Sequence, residues 1–432
     1  MVVLLHLQDF QNANPSPNTN ILHSLLQYAL SQPPPSLKHE LFSNQFELQH
    51  TIGRVGWNGP ISEYELHNPR DIKISYRHEC IIVIETCRVN VLLIRLAFFD
   101  LNSKKFLGVF DSPRTGYLNY LCVEENYNEL QQDALIFGCF EKAGVYKYDL
   151  HTIMKYCLHS IPFKNEVKDV QGEENVVSPS LDHEYFEKPK CQYLWHVTDP
   201  IRHPCGIAVC EQEKNKHSSS MNHVYVCDSD ACCIHILNSR NGSYISKLDI
   251  SNMDPTVSIS GDQKMHPFGI AFAMDHVTGN QTLFVSCNPA QIQIFEKRRK
   301  IPSIRDECLN CFKNHKQEEW MFVKQVGQSG TQNGAFNDPN ALAVICSNQE
   351  FLIYVSDFRN HRIQVFSWKG NRNVKDTTIP LMSSDWEHVK SFGTCGRGQR
   401  HCLYFPFSLC LNKNSGELLV TDSSNSRIQF FK

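Results

Sequence analysis

The sequence predicts an all-β protein, a six-bladed β-propeller with a short N-terminal helical extension. Three observations lead to this prediction. A block in which a proline opens an apolar run recurs six times, a block with a polar turn follows each copy, and a glycine-rich block precedes three of them. One such unit cannot bury both faces of its own small sheet, whereas six units arranged around an axis bury them against one another.

The first block predicts the inner strand of each blade. It is HPCGIAV at 203–209 and HPFGIAF at 266–272, with further copies DPNALAV, FPFSLCL and NPRDIKI and a degraded copy, YLNYLCV. These short runs are rich in Val, Ile, Leu and Phe and are bounded by turn residues, which is typical of strands. The proline position falls at Pro69, Leu118, Pro204, Pro267, Pro339 and Pro406.

The second and third blocks predict the other strands and the turns. YVSDFRNHRIQVF (354–366) and VTDSSNSRIQFF (420–431) match best, and the copies at 224–237, 283–295, 82–94 and 136–148 are looser. An Asp with an Asn three residues later indicates a turn held by side-chain bonds to the backbone. The paired glycines of IGRVGWNG, VGQSGTQNG and FGTCGRG supply backbone angles that other residues resist. Each unit therefore predicts four antiparallel strands.

These motifs resemble the NHL-repeat propellers, in particular the NHL domain of tripartite-motif type proteins. That family has a glycine-rich loop, a Pro-x-Gly-Val-Ala-Val inner strand and an Asp-x-x-Asn-x-Arg-Ile turn, and the resemblance covers roughly 46–432. Some members are ubiquitin ligases with a RING finger and a coiled coil ahead of the propeller, and we expect no RING finger, B-box or coiled coil here. Residues 1–45 contain no cysteine, so a ligase role would need a separate subunit. The turn motif is clearest at Asp357, Asn360, Arg362 and Ile363 and at Asp422, Asn425, Arg427 and Ile428.

Residues 1–45 are predicted to lie outside the propeller as an N-terminal extension. The apolar spacing of 21–30 (ILHSLLQYAL) predicts a helix that ends at the proline-rich linker SQPPPS. We expect this helix to pack against the side of the propeller, with a role as a docking helix for a partner as the alternative. Two insertions, about 151–190 and about 296–318, interrupt the repeats, and the first is predicted to be a mobile loop.

The two ends of the chain are predicted to close the ring. The sequence stops at RIQFFK, the third strand of the last copy, so nothing after it can form the outer strand of that blade. The segment QFELQHTIG at 45–53 precedes the first glycine-rich block in the way that KQVGQSG and KSFGTCG precede theirs. We therefore predict that 45–53 adds as the outer strand of the last blade and covers an open sheet edge.

Composition excludes several classes of protein. With 42 Lys and Arg against 45 Asp and Glu, the formal net charge of −3 excludes binding to nucleic acid by bulk charge, though not by a local basic face. The longest apolar stretch, 89–99, contains Arg95 and is too short to span a bilayer. Eighteen cysteines without a secretory signal favour free thiols in a reducing compartment. We expect a cytoplasmic monomer that does not contact a membrane.

Two sets of residues are weak candidates for a metal site. Cys308, Cys311 and His315 form C-x2-C-x3-H, but tetrahedral zinc needs four ligands and only three are local, so we expect no structural metal here. A second set lies directly before the repeat proline and consists of His203, His266 and Asp338. Around the opening of the central channel these side chains could hold a metal; the alternative is that the position simply starts a strand.

We expect no enzymatic activity and no cofactor. Peptide-amidating lyases resemble NHL propellers and place metal-binding histidines directly after the repeat proline. This chain has no histidine there, so an enzyme of that type or of the lactonase type is disfavoured. No phosphate-binding loop, nucleophile elbow or His-Glu-x-x-His motif occurs either. The residues after the repeat proline are Arg70, Cys205, Phe268, Asn340 and Phe407.

A binding face is the favoured functional prediction. The loop before each inner strand and the turn between strands two and three open on the same face, and copies five, six and one become neighbours once the ring closes. Arginines with an aromatic residue suit phosphate contacts and base stacking, so we predict a face for single-stranded RNA or a protein partner, with substrate recognition in a ubiquitin-ligase assembly as an alternative. The alternative for Arg362 and Arg427 is pairing with turn acids of neighbouring blades. The predicted residues are Arg54, Trp57, Arg359, Arg362, Arg397, Arg400 and Arg427.

Overall fold

The computed structural model describes most of the predicted propeller. The chain divides into two units, Met1–Leu41 and Phe42–Lys432, and every described residue belongs to the second. The predicted helix at 21–30 and the Cys308, Cys311 and His315 set lie outside the described residues. The described residues are 45–53, 64–87, 93–111, 118–159, 192–210, 222–250, 264–274, 279–299, 318–347, 350–369 and 386–432.

The described residues form six four-stranded antiparallel sheets, which confirms the six-bladed β-propeller. Blades one to three each run from the inner to the outer strand in chain order. Their strands are β2 (Ile72–Ser75), β3 (Cys80–Cys87), β4 (Leu93–Asp100) and β5 (Phe106–Asp111); β6 (Leu118–Glu124), β7 (Ala134–Cys139), β8 (Gly144–Asp149) and β9 (Trp195–Val197); and β10 (Pro204–Cys210), β11 (His223–Asp228), β12 (Cys233–Asn238) and β13 (Tyr244–Asp249).

Blades four and five repeat this order, and blade six takes its outer strand from the other end of the chain. Their strands are β14 (His266–Met274), β15 (Gln281–Asn288), β16 (Gln291–Arg299) and β17 (Glu318–Val326); β18 (Pro339–Ser347), β19 (Glu350–Asp357), β20 (Arg362–Trp368) and β21 (Trp386–Phe392); and β24 (Pro406–Asn412), β25 (Glu417–Asp422), β26 (Arg427–Phe431) and β1 (Leu48–Gly53). A small parallel pair, β22 (Thr394–Cys395) and β23 (Cys402–Leu403), lies before blade six.

The predicted closure of the ring is confirmed. Strand β1 pairs antiparallel with β26, with Ile52 opposite Ile428 and Gly53 opposite Arg427. Glu47 and Lys432 exchange two further backbone hydrogen bonds of 2.8 and 3.0 Å. Blade six is therefore built from both ends of the described chain, and an otherwise open edge of its sheet is covered.

A helix occupies the start of the first insertion, where the sequence analysis predicted a mobile loop. Helix α1 (Leu150–His159) begins after Asp149, whose carboxylate accepts hydrogen bonds from the amide and the hydroxyl of Thr152 at 2.7 and 2.6 Å. Such a bond caps a helix N-terminus. Leu150, Ile153 and Met154 are buried in the core between blades one and two. The apolar spacing beside Asp149 was the signal that the prediction missed.

Side chains of different blades meet near the middle of the ring. In blades three and four, Gly206 and Gly269 lie so close to the next inner strand that a Cβ atom would collide with its backbone. Blades one and two have Asp71 and Tyr120 at this position. Asp71 accepts hydrogen bonds from the Ser408 hydroxyl of blade six at 2.6 Å and from a blade-two amide at 2.7 Å. Tyr120 donates across the ring to Asn340 of blade five.

Two further predictions from composition concern the cysteines and membrane-spanning helices. The cysteines with described side chains are free thiols, and Cys395 is the exposed member of that set. In the part of the chain that the structure covers, no helix is long and apolar enough to cross a membrane.

Candidate binding face

The Asp-x-x-Asn-x-Arg-Ile turn of blade five binds the glycine-rich loop of the same blade. Arg362 donates from Nε to the Asp357 carboxylate at 2.7 Å, and its guanidinium donates to two carbonyl oxygens of that loop at 2.9 Å each. The Asn360 amide donates to the carbonyl of Gly330, also in that loop, at 2.8 Å. The Asp-x-x-Asn-x-Arg spacing therefore brings one acceptor and two donors onto a loop that precedes the turn by 30 residues within the same blade.

Copy six repeats this arrangement with a more buried arginine. Arg427 donates from Nε to Asp422 at 2.7 Å and to the carbonyls of Gln399 and Cys402 at 2.8 Å each. Its side chain is 1% exposed, against 12% for that of Arg362. Burial raises the pKa of Asp422, and the guanidinium of Arg427 opposes that shift.

The donors of Arg362 and Arg427 are therefore engaged within the fold, as the structural alternative predicted. The alternative, that these arginines pair with turn acids, was right about the salt bridges but wrong in assigning the acids to neighbouring blades. The turn acids belong to the same blade as each arginine, because Asp and Arg flank one turn and face each other across the paired strands.

A buried acid with a basic partner also occurs in blades where the sequence motif is weak. In blade one, Arg95 donates to the fully buried Glu85 at 2.6 Å. In blade three, the strand register places Cys233 opposite Asp228. The ring of His235 contacts this acid at 3.1 Å, from the position that Gln364 holds in blade five, and both side chains are buried. Blade one therefore keeps the pair with a different acid, and blade three keeps only a basic contact to the acid, which is why these copies appeared degraded in the sequence.

The blade-three pair predicts a pH-dependent stability. Burial alone would lower the pKa of His235, but the hydrogen bond with Asp228 raises it from 6.5 to about 9. A histidine whose pKa is raised on folding stabilises the fold fully below pH 6.5 and loses that contribution as the pH rises through 9. We expect the loss to be about 1–3 kcal/mol of unfolding free energy.

The measurement is urea unfolding from pH 6 to 10 for the parent and His235→Gln. Buried thiols also destabilise the fold at alkaline pH, because only the unfolded chain ionises them readily, so the difference between the two proteins is the test. That difference should shrink as the pH rises. A difference that stays constant over this range would contradict the prediction.

Three predicted arginines are exposed on the loop face of blades five and six. Arg359 has a 61% exposed side chain and pairs with Asp338 at the start of the inner strand. Arg397 and Arg400 are exposed on the glycine-rich loop of blade six, and the Arg397 guanidinium lies 4.7 Å from the centre of the Tyr404 ring. Arg54 and Trp57, the predicted contribution of blade one, lie outside the described residues.

A set of partly exposed rings, which the sequence analysis missed, lies beside these arginines. The ring of Tyr404 stacks on His361, with centroids 5.0 Å apart and planes 7° apart. Phe405 packs edge-on against His361 at 4.3 Å, and Phe358 lies 5.1 Å from Phe405. We call this set the ring cluster; its members are Phe358, His361, Tyr404 and Phe405. The signal was an aromatic pair before the repeat proline, which the prediction assigned to an ordinary strand start.

The residues suggested around the channel opening have protein partners. His203 Nδ1 lies 2.8 Å from the Ser229 hydroxyl, and His266 Nδ1 lies 2.6 Å from the Ser229 carbonyl. Asp338 pairs with Arg359. Within the described ranges, no group of three His, Cys, Asp or Glu side chains is placed to hold a metal ion.

Comparison with known proteins identifies the repeat that the sequence analysis predicted. The family model for the NHL repeat matches residues 336–366 and 403–431, which are blades five and six. Over 109 residues, or 25% of this chain, the sequence is 29% identical to Protein brain tumor of Drosophila melanogaster. That match spans 9% of the length of the Drosophila protein.

The solved structures that match this chain share little sequence identity with it. An auxiliary nutrient binding protein from Bacteroides ovatus is 11% identical, with a TM-score of 0.48 over 90% of this chain and 77% of that one. The β-propeller domain of Cps50 (Swd1) from Myceliophteria thermophila is 8% identical, with a TM-score of 0.41 over 89% of this chain and 99% of that one. The fold is established here by the strand order of the six sheets.

Proposed function

We propose that this NHL-repeat propeller is a non-enzymatic, monomeric binding scaffold of the cytoplasm whose loop face over blades five and six binds single-stranded RNA. The observation that carries the proposal is the stack of Arg397, Tyr404 and His361, with Arg359 and Arg400 exposed nearby. Flat rings offer stacking surfaces to unpaired bases, and arginines offer charge to phosphates. Free thiols in the described part support a reducing compartment.

A protein partner is the second candidate for the same face. The exposed arginines would pair with carboxylates, and the ring cluster would bury an apolar side chain of the partner. In that case the scaffold could select a substrate for a separate ubiquitin ligase. Crosslinking in lysate followed by RNA sequencing, with mass spectrometry of the proteins that copurify, separates the two: enriched RNA supports the first candidate and a stoichiometric protein the second.

Changing Arg397 and Arg400 together to Ala is expected to weaken RNA binding without lowering stability. Both side chains are exposed, and exposed substitutions usually change the free energy of unfolding by no more than about 0.5 kcal/mol. Each lost phosphate contact should flatten the slope of log affinity against log salt by about one unit. The measurement is fluorescence anisotropy of a labelled RNA recovered by the crosslinking, at several salt concentrations.

The matched control removes the same number of charges from the opposite end of the blades. Arg240 and Lys413 are exposed on hairpins at that end, because successive turns of an antiparallel blade alternate between its two ends. Arg240→Ala with Lys413→Ala should leave affinity and salt slope close to those of the parent. Equal losses in the two double variants would indicate binding by general charge and would remove this face as the site.

A further inference from the structure

We propose that His361 is a positioning residue that holds Tyr404 and Phe405 in the arrangement that binds ligand, and that proton uptake at its Nδ1 releases them. Acidification should then weaken binding at this face. The inference rests on the proposed function for its ligand, but its structural part can be tested without any ligand.

The backbone of Phe405 needs such support. Its φ is 54°, in the left-handed region that a bulky side chain rarely adopts. At the equivalent position, blades one and five have Asn68 and Asp338, with φ of 44° and 54°. Asn and Asp tolerate this conformation, whereas other side chains crowd the following carbonyl oxygen in it. Blade six therefore places a phenyl ring on the loop face in a conformation that its surroundings must maintain.

Hydrogen bonds from two blades maintain it. The Phe405 amide donates to His361 Nδ1 at 3.0 Å, across the junction from blade six to blade five. The Tyr404 amide donates to the Asp422 carboxylate at 2.7 Å, and the Tyr404 carbonyl accepts from Ser424 at 3.1 Å. The bond to His361 is the part of this support that a proton can remove.

The geometry fixes the protonation state that the bond requires. Because Nδ1 accepts from an amide, the single ring proton of neutral His361 lies on Nε2. A second proton on Nδ1 would point at the Phe405 N–H, so the two groups would repel each other and the bond would be lost.

The surroundings of His361 favour the neutral form. Burial lowers the pKa of His361 from 6.5, and Asp422 opposes the shift. Asp422 is itself engaged by Arg427, and Arg362, the next residue, pairs with Asp357. The other nearby cations are Arg397 over Tyr404 and Arg359 paired with Asp338. The bond is therefore intact at neutral pH and lost as the pH falls below 6.5.

The next junction of the ring shows the same contact without a titrating group. Ser426, which follows the turn of blade six as His361 follows that of blade five, accepts from the Asn68 amide at 3.5 Å. A hydroxyl does not change charge in this range, and Asn68 does not need the support that Phe405 needs. The proton-sensitive contact thus coincides with the loop that carries the ring cluster.

His361→Asn is the matched variant. His361 has φ of 56°, which Asn adopts readily, and its side-chain oxygen can occupy the place of Nδ1 as acceptor. The variant keeps an acceptor for the Phe405 amide and removes the titration, but it also removes the ring that stacks on Tyr404. The pH response of each protein is therefore compared with its own value at pH 7.5. Near-ultraviolet circular dichroism and thermal melting at pH 7.5 check that it is folded as the parent is.

The ligand-free test is amide hydrogen exchange at Phe405 by NMR, expressed as protection relative to intrinsic rates. In the parent, protection should fall at least tenfold between pH 7.5 and pH 5.5, while in His361→Asn it should change little. The nitrogen chemical shifts of the His361 ring should report protonation over the same range. Unchanged protection of Phe405 in the parent while His361 becomes protonated would overturn the proposal.

The binding test uses the labelled single-stranded RNA described above. Affinity should fall several-fold from pH 7.5 to pH 5.5 for the parent and remain level for His361→Asn, although protonation adds positive charge that would favour a polyanion. A pH response shared by both proteins would overturn the role of His361 in binding. If RNA does not bind at either pH, the proposed function fails, and the exchange experiment still decides whether His361 holds Phe405.

Discussion

Removal of residues 1–53 is expected to abolish cooperative unfolding of the propeller, whereas removal of 1–40 should cost much less. The longer deletion takes away β1, the outer strand of blade six, and with it the buried side chain of Ile52. It also removes Phe46, whose ring stacks on Phe392 of blade five at 4.6 Å. Each of these side chains contributes about 1.5–3 kcal/mol through burial, and the backbone bonds to β26 are lost as well.

Calorimetry of the two truncated proteins is the measurement. The shorter deletion should show one sharp transition near that of the parent, and the longer one a broad transition or none. Equal melting temperatures for the parent and the 1–53 deletion would show that β1 is not needed to close the ring.

A single substitution tests the same contact without shortening the chain. Gly53 has φ of 97°, and a Cβ atom there would lie 2.6 Å from the Ser426 carbonyl oxygen. Gly53→Val should therefore strain the closure and lower the melting temperature by several degrees. Gln49→Ala, on the exposed part of the same strand, is the matched control and should leave it unchanged.

Much of the fold could be predicted from the sequence because the repeat encodes it locally. The proline block, the polar turn and the glycine-rich loop each fix a strand end, and their order gives both the number of blades and the closure by 45–53. Helix α1 was missed because it is inserted within blade two, between β8 and β9, and has no counterpart in the other repeats, so only Asp149 and a short apolar spacing indicated it.

The site could be predicted only in part because sequence position does not reveal burial. Arg359 and Arg362 belong to the same turn, yet the first side chain is 61% exposed and the second 12%. The difference comes from the glycine-rich loop, which folds back over Arg362 from about thirty residues earlier. The ring cluster was missed for a related reason: His361 and Phe405 meet across two blades, and only the packing of those blades brings them together.

The second large effect is expected at Arg427. Arg427→Ala should lower the free energy of unfolding by about 3–5 kcal/mol, because it leaves the Asp422 carboxylate buried without its cation and frees two loop carbonyls. Arg359→Ala, an exposed member of an equivalent turn, should change it by no more than about 0.5 kcal/mol. Denaturant unfolding of both variants against the parent measures the contrast.

The same substitution should also act on the binding face, although Arg427 itself cannot reach a ligand. Its guanidinium holds the carbonyls of Gln399 and Cys402, which bracket Arg400 in the glycine-rich loop. Arg427→Lys keeps the charge but has no planar fork to reach Asp422 and both carbonyls at once, so it should regain only part of the stability. RNA affinity should then fall in both variants at temperatures where they remain folded. Parent-like stability in Arg427→Ala would mean that the turn motif does not anchor this loop, and the separation of the arginines into structural and ligand-facing sets would have to be abandoned.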